Sequence, residues 1–286
     1  MAETKTAAAP AMSANEDLGE ITRKTAWETN EPYVLGFGFI ILVLLLWEAI
    51  PWVMTLSKGM SLFFTTPSAV AVKLYELFAT GVIWPALQFS ATAFTIGLLS
   101  SIVVALPLGV ILGRSQTLNA MFDPFVTAFN ATPRLVFLPI FLVWFGIGMN
   151  TVVLIVFIGA VFPLLINTYA GVRNADRLLI NVVKSFGANE WEINKLVVLP
   201  NSMPFIVAGL RLAIGRAILG IVVAEFFGGS TEGVGVMMVD AAGKFQVDIV
   251  FAGLILFMTM SLIMTSAVKV LENRLSRWRP QTVKTF

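Results

Sequence analysis

The 286-residue sequence contains no cysteine and no histidine, and only 13% of its residues are charged. The first absence removes disulfide staples, thiolate nucleophiles and Cys/His metal sites together. The second removes imidazole acid–base chemistry. The scarcity of charge excludes still more, because a soluble domain carries about 25% charged residues to keep its surface wet. Here 57% of the chain is hydrophobic, so lipid must cover what water cannot. The formal charge of +2 is too small to point to nucleic acid. No G-x-x-x-x-G-K-[ST] phosphate loop occurs, so the chain does not cradle ATP by that route.

Long apolar runs are what the sequence does have. A membrane span needs about 20 mostly apolar residues. Such runs fall at about Tyr33–Met54, Trp84–Gly113, Leu118–Phe145, Thr151–Tyr169, Pro204–Phe227 and Val247–Val270. The fold class is therefore all-α, a polytopic membrane bundle of about six transmembrane helices. The third run is broken by Pro133 and Pro139. Pro67 to Ala79 has apolar residues at helical spacing with Pro67 suited to a first turn, and reads as a surface helix. Residues 1–31 lack an apolar run and any signal-peptide pattern, and are expected to form a disordered cytoplasmic tail. Residues 32–82 then hold the first span and the outer surface helix. The bundle core covers 83–275, and 276–286 form a second cytoplasmic tail.

Basic residues orient this bundle. With the amino terminus inside, cytoplasmic segments hold Lys5, Arg23, Lys24, Arg114, Arg173, Arg177, Lys184 and Lys195. Beyond the last span stand Lys269, Arg274, Arg277, Arg279 and Lys284. Outer segments hold only Lys58, Lys73 and Lys244. Both termini are expected to be cytoplasmic. Arg211 and Arg216 fall near the cytoplasmic start of the fifth span, and Arg134 lies in the broken third.

Most connections are short, but the cytoplasmic one at 171–203 is not. From Asp176 to Phe186 the apolar residues Leu178, Leu179, Val182, Val183 and Phe186 recur at helical spacing. Gly187 then suits a positive-φ position after a helix end. Asn189 can cap a second helix, with Glu192 at the third position of a capping box. Pro200 and Pro204 are expected to end that helix. An amphipathic pair of this kind can lie on the membrane, pack under its own bundle, or dock into a partner's groove.

The spacing from Gly187 through nine residues to Val197-Val198-Leu199-Pro200 resembles the EAA loop of ABC importer permeases. Asn181-Val182-Val183 stands where the Glu-Ala-Ala triplet would be. The resemblance extends to Ala131-Thr-Pro-Arg-Leu-Val-Phe-Leu-Pro-Ile-Phe-Leu-Val-Trp-Phe-Gly-Ile-Gly148, which is similar to the third-span signature of nitrate/sulfonate/taurine-type permeases. Phe162-Pro163, Asn167-Thr168, Gly171-Val172-Arg173, Gly209-Leu210-Arg211, Ala224-Glu225 and Gly233-Val234-Gly235 fit the same subfamily. The resemblance implies a type I ABC importer permease fold in a bacterial inner membrane and a second permease copy, as a homodimer. It also implies two cytoplasmic ATPases carrying ATP and Mg, and an extracytoplasmic solute-binding protein. This chain would bind no cofactor itself. Asp176, Asn181, Val182, Val183, Phe186, Gly187, Ala188, Glu190, Leu199 and Pro200 would form the ATPase-coupling loop. The solute would be a small anion such as a sulfonate, nitrate, bicarbonate or aromatic acid.

Proline at 133 and 139 removes backbone donors, and such breaks persist at membrane depth only where other groups or a wet cavity satisfy the freed carbonyls. Arg134 between them must face an interior, since a basic side chain at the bilayer centre costs about 2.5–3.5 kcal/mol. Pro133, Arg134, Pro139 and Glu225 are the candidate pathway residues. Arg134 either attracts an anionic solute or pairs with Asp123 or Glu225. Glu225, followed by Gly228-Gly229, either gates the outer end or makes a structural salt bridge. The small residues Gly209, Ala213, Gly215, Ala217 and Gly220 permit close helix approach, within one chain or across a dimer. The rival class is a secondary transporter working alone, but paired intramembrane carboxylates and an internal repeat are both absent from the sequence.

Overall fold

Residues 26–53 and 63–275 are described in the computed structural model, with side chains from 34 to 51 and from 63 to 274. The tail residues 1–25 and 276–286, and 54–62, lie outside that description. The chain divides into two units, residues 1–55 and 56–286. In the first, α1 (Ala26–Val53) begins seven residues before the expected Tyr33. Its apolar stretch Val34–Pro51 is long enough to cross a membrane.

The second unit opens with α2 (Pro67–Ala79), the expected surface helix. Thr66 caps it by accepting the Ala69 amide at 3.3 Å, with Pro67 in the first turn where no helical donor is lost. Next comes α3 (Ile83–Arg114), whose 32 residues span about 48 Å, more than the roughly 30 Å hydrocarbon core. Small residues recur along it every fourth position at Ala93, Gly97, Ser101, Ala105, Gly109 and Gly113. A Cβ placed on Gly97 would stand 2.5 Å from Val156, one on Gly109 2.5 Å from Thr168, and one on Gly113 2.5 Å from Val172. In lipid, helices gain little from burying apolar surface, so backbone approach of this kind supplies the dispersion contact that holds them.

Those three contacts also give the direction of packing. Their partners lie on α6 (Met149–Arg173) at a constant sequence offset, 156 against 97, 168 against 109 and 172 against 113. Side-by-side helices in constant register are parallel. The chain between them must therefore return to the end where α3 began. It does so through α4 (Gln116–Ala131), a 3₁₀ turn at Arg134–Phe137 and α5 (Leu138–Phe145), two halves bent by 97°. This is the broken third span. Thr132 and Pro133 are extended at the break, as sterics before and at proline require. Pro139 was expected to break the helix as well. It instead lies in the first turn of α5, where its missing N–H has no helical partner to lose.

After α6 the chain forms α7 (Arg177–Ser185), the single turn α8 (Glu190–Ile193) and a π turn at Asn194–Val198, then α9 (Leu199–Phe226). Pro200 and Pro204 do not end the loop helix. The Leu199 amide bonds the Asn194 carbonyl five residues back, a widened turn just ahead of Pro200. Pro200 then occupies the first turn of α9 and Pro204 is carried inside it. Contacts of Gly209 with Asn167 and of Gly220 with Ile155 place α9 antiparallel to α6. Gly209, Ala213, Ala217 and Gly220 are buried on that seam, so their close approach lies within the chain, whereas Gly215 is exposed and meets no neighbour within 4 Å. The stretch before the last span holds a further helix, α10 (Val234–Gly243), followed by α11 (Val247–Leu275). With the bent pair as one, the described chain has six candidate spans.

Candidate functional site

The α6–α9 loop is built by local rules. Asp176 caps α7 by accepting the Leu178 amide at 2.8 Å. At the other end Gly187 has φ +83°. Its amide donates to Lys184 O at 2.9 Å and that of Ala188 to Val183 O at 3.3 Å, the paired bonds of a Schellman turn. Asn189 and Glu192 exchange both bonds of a capping box, at 2.9 and 2.8 Å. Two punctuation signals thus turn the chain sharply between α7 and α8.

What the loop packs against decides which face stays free. Val183, Ile180 and Ala188 rest on a small buried cluster of Val172, Ala175, Ile193 and Val198. The opposite stripe finds no cover: Leu178 is 70%, Phe186 87% and Trp191 73% exposed, with Val182 beside them. Asn181 contributes its carbonyl to Ser185, and Leu199 and Pro200 start α9. Of the three dispositions open to an amphipathic pair, packing wholly under its own bundle is excluded.

Glu190 ties the loop to a span. It pairs with Arg114 at the last residue of α3 and with Lys184 of α7 at 3.3 Å. Arg114 and Lys184 carried only topological meaning in the sequence, and no spacing rule relates residues 76 positions apart.

Pro133, Arg134 and Pro139 stand together at the bend. Arg134 crosses α6 at Gly159, where a Cβ would lie 3.3 Å from its Cδ and Nε, and donates from Nη1 to the Arg216 carbonyl at 2.9 Å. Asp123 and Glu225 do not pair with it. Asp123 accepts from the Tyr169 hydroxyl at 3.4 Å. Arg216 was expected near the start of its span. The helix begins five residues before Pro204, at Leu199, and its register with α6 sets Arg216 opposite Gly159, well inside the bundle.

Glu225 stands apart from this group, nine residues beyond Arg216 and about 14 Å along the same helix. Its side chain is 2% exposed. Oε1 accepts from Ser90 Oγ and Oε2 from the Gly235 amide, each at 2.6 Å, while Ser90 in turn accepts the Val234 amide at 3.0 Å. The expected salt bridge is replaced by a hydroxyl and an amide at the start of α10. Such burial moves Glu225 from contact with a passing solute to holding α10 in place. A Cβ at Gly235 would sit 2.8 Å from the Glu225 Cβ, so a glycine there is what lets the carboxylate reach the amide. Among the described residues no group of three or more acids forms a metal-binding cluster.

A multi-pass helical bundle with a clasped, apolar-faced loop at one end and a cation at a mid-span break defines a membrane transport component. The chain belongs to the family described as binding-protein-dependent transport system inner membrane component, which matches residues 105–277. It is 28% identical over 270 residues to the taurine transport system permease protein TauC of Escherichia coli (strain K12), covering 92% of this chain and 96% of that one. It is 31% identical over 260 residues to SsuC of Bacillus subtilis (strain 168), provisionally named an aliphatic sulfonates transport permease, covering 91% and 93%. The fold is similar to a chain of the inward-facing MetNI methionine ABC transporter, with TM-score 0.57 and 17% identity over 68% of this chain and 94% of that one. The protein is the membrane-spanning permease of an ABC importer for a small solute, a multi-pass inner-membrane transport protein.

Proposed function

We propose that this chain is one of two identical permease halves driven by cytoplasmic ATPases that bind beneath the α7–α8 loop. Both termini and that loop face the cytoplasm, in line with the basic residues at the loop end. ATP and Mg belong to the ATPases, and a soluble binding protein delivers the solute at the α10 end. The exposed stripe of Leu178, Val182, Phe186 and Trp191 on a loop otherwise pinned to the bundle carries this reading. Apolar side chains on an ordered helix edge suit a groove on a partner. Closure of the ATPases then moves the loop, and Glu190 passes that movement to α3 through Arg114.

The solute is a small anion, of the sulfonate, nitrate, bicarbonate or aromatic-acid kind. Arg134 supports this, as does the likeness to permeases named for taurine and sulfonates. Pro133 and Pro139 shape the bend that brings Arg134 to the route, and Glu225 contributes by fixing the outer helix.

The test is co-purification of the ATPase with a Phe186→Asp variant. Because Phe186 is 87% exposed, the change leaves the bundle folded. Loss of the ATPase with an unaltered gel-filtration profile of the permease is expected. Undiminished association would remove the loop from the docking site.

A further inference from the structure

We infer that Arg134 and Arg216 together form a two-guanidinium step for a monoanionic oxyanion headgroup partway along the translocation route. This rests on the importer reading above and adds to it a second cation and the charge class of the group it meets.

The pattern of ion pairing points to it. Among the described residues Lys73 pairs with Glu76 and Asp248, Arg114 and Lys184 with Glu190, and Arg211 with Glu272. Arg134 and Arg216 enter none of these pairs. The hydrogen bond of Arg134 goes to a main-chain carbonyl, which leaves its charge uncompensated. The recess that both arginines line is completed by Phe129, Asn130, Thr132, Ile158, Gly159 and Phe162, with no carboxylate. The acids on neighbouring elements are engaged elsewhere, Asp123 by Tyr169 and Glu225 by Ser90 and Gly235.

Position makes the missing counter-charge expensive. Arg216 faces Gly159 near the middle of both α6 and α9. Each arginine at bilayer mid-depth costs about 2.5–3.5 kcal/mol, and two adjacent like charges repel in addition. Basic residues at span ends follow from topology, but these two do not lie at span ends. An anion between them offsets both costs, and guanidinium forks match the oxygens of a sulfonate or carboxylate.

The shape of the site suits passage rather than storage. The recess holds about 10 Å³, room for roughly one water and too little to enclose a sulfonate. Arg134 is half-buried and held in place, whereas Arg216 is exposed. The anion therefore sits at the open mouth, on Arg216, with Arg134 behind it. Contact of this kind is weak and exchanges quickly, as an importer requires. Gly159 keeps the crossing open, since a methyl group there would press on the Arg134 side chain and on the Arg216 carbonyl at 3.1 Å.

Phenylglyoxal, which modifies accessible unpaired guanidiniums, tests the site in the intact complex held in lipid nanodiscs. Peptide mapping should show Arg134 and Arg216 modified more slowly in ethanesulfonate than in the same concentration of ethanol. Arg211, paired with Glu272, should respond to neither. Equal modification in both media overturns the step. So does complete resistance in both, which would mean that the second copy supplies an acid. Uptake of ethanesulfonate, nitrate and benzoate into proteoliposomes gives the second readout. For whichever anion is imported, Arg216→Gln should lower the initial rate about tenfold, equivalent to one charge-assisted hydrogen bond. Arg216→Lys, which keeps the charge, should keep most of the rate. Full uptake by Arg216→Gln overturns the step and leaves the importer reading standing. Import of neutral solutes and of no anion by the wild-type complex would instead overturn the anion reading itself.

Discussion

The guanidinium of Arg114, the last residue of α3, donates to the carboxylate of Glu190, the first residue of α8. A span and the loop are thereby joined by a side-chain clasp as well as by the chain. Lys184 holds the same carboxylate from α7. Three elements therefore meet at one acid, at the position where mechanical coupling between loop and bundle is needed. The sequence has no acid where the Glu-Ala-Ala triplet would supply one. Glu190, three residues after Gly187, supplies a loop carboxylate from the other side of the turn.

If this clasp transmits motion, Glu190→Gln should lower solute uptake per ATP hydrolysed by about fivefold, the lower end of coupling between distant sites. Assembly with the ATPase should survive, because the exposed apolar stripe is untouched. A double-mutant cycle gives the decisive comparison: Arg114→Gln with Glu190→Gln should be little worse than either change alone. Strictly additive losses would show that the two residues act separately.

The α3–α6 seam makes a prediction about stability alone. Gly109→Val puts a branched side chain where a Cβ is already 2.5 Å from Thr168. Overpacking of this kind costs about 1–3 kcal/mol. The variant should show a lower melting temperature in detergent and poorer recovery as a monodisperse species. Gly215→Ala, on the exposed face of α9 with nothing within 4 Å, should leave the isolated permease as stable as the wild type. A destabilised isolated Gly215→Ala chain would contradict the packing described.

Glu225 anchors α10, and its removal should be felt there first. Glu225→Ala leaves the Gly235 amide and the Ser90 hydroxyl without their acceptor in a buried site, at roughly 1–3 kcal/mol for each unsatisfied group. Protease sensitivity should rise between Phe227 and Lys244 while the α7–α8 loop stays protected to its usual extent. Glu225→Gln keeps an acceptor oxygen and should be milder. Cleavage rising equally at both ends would mean that Glu225 supports the whole bundle rather than one helix.

Much of this protein was legible in the residue order because lipid is an undemanding solvent. Each span must satisfy its own backbone and stay apolar over about 20 residues, so hydropathy finds it without reference to any other. The helix after Pro67, the Gly187 turn and the Asn189–Glu192 box rest on bonds within a few residues of one another, and sequence spacing is enough to place them. Pro139, Pro200 and Pro204 were misjudged because a missing N–H matters only if a partner carbonyl needed it. At the first turn of a helix none does.

The sequence alone determined the all-helical membrane class, the order of the spans and the folded loop with its free apolar edge. Tertiary structure alone decided which small residues face α6, and that α3 and α6 are parallel so that the broken segment must cross back. It decided that Glu190 meets Arg114, that Glu225 turns inward to α10, and that Arg134 reaches across Gly159 to Arg216. The division has one physical cause. Local bonds are set by neighbours in the chain, whereas these contacts depend on helix register and rotation, which are fixed only when the helices close on one another.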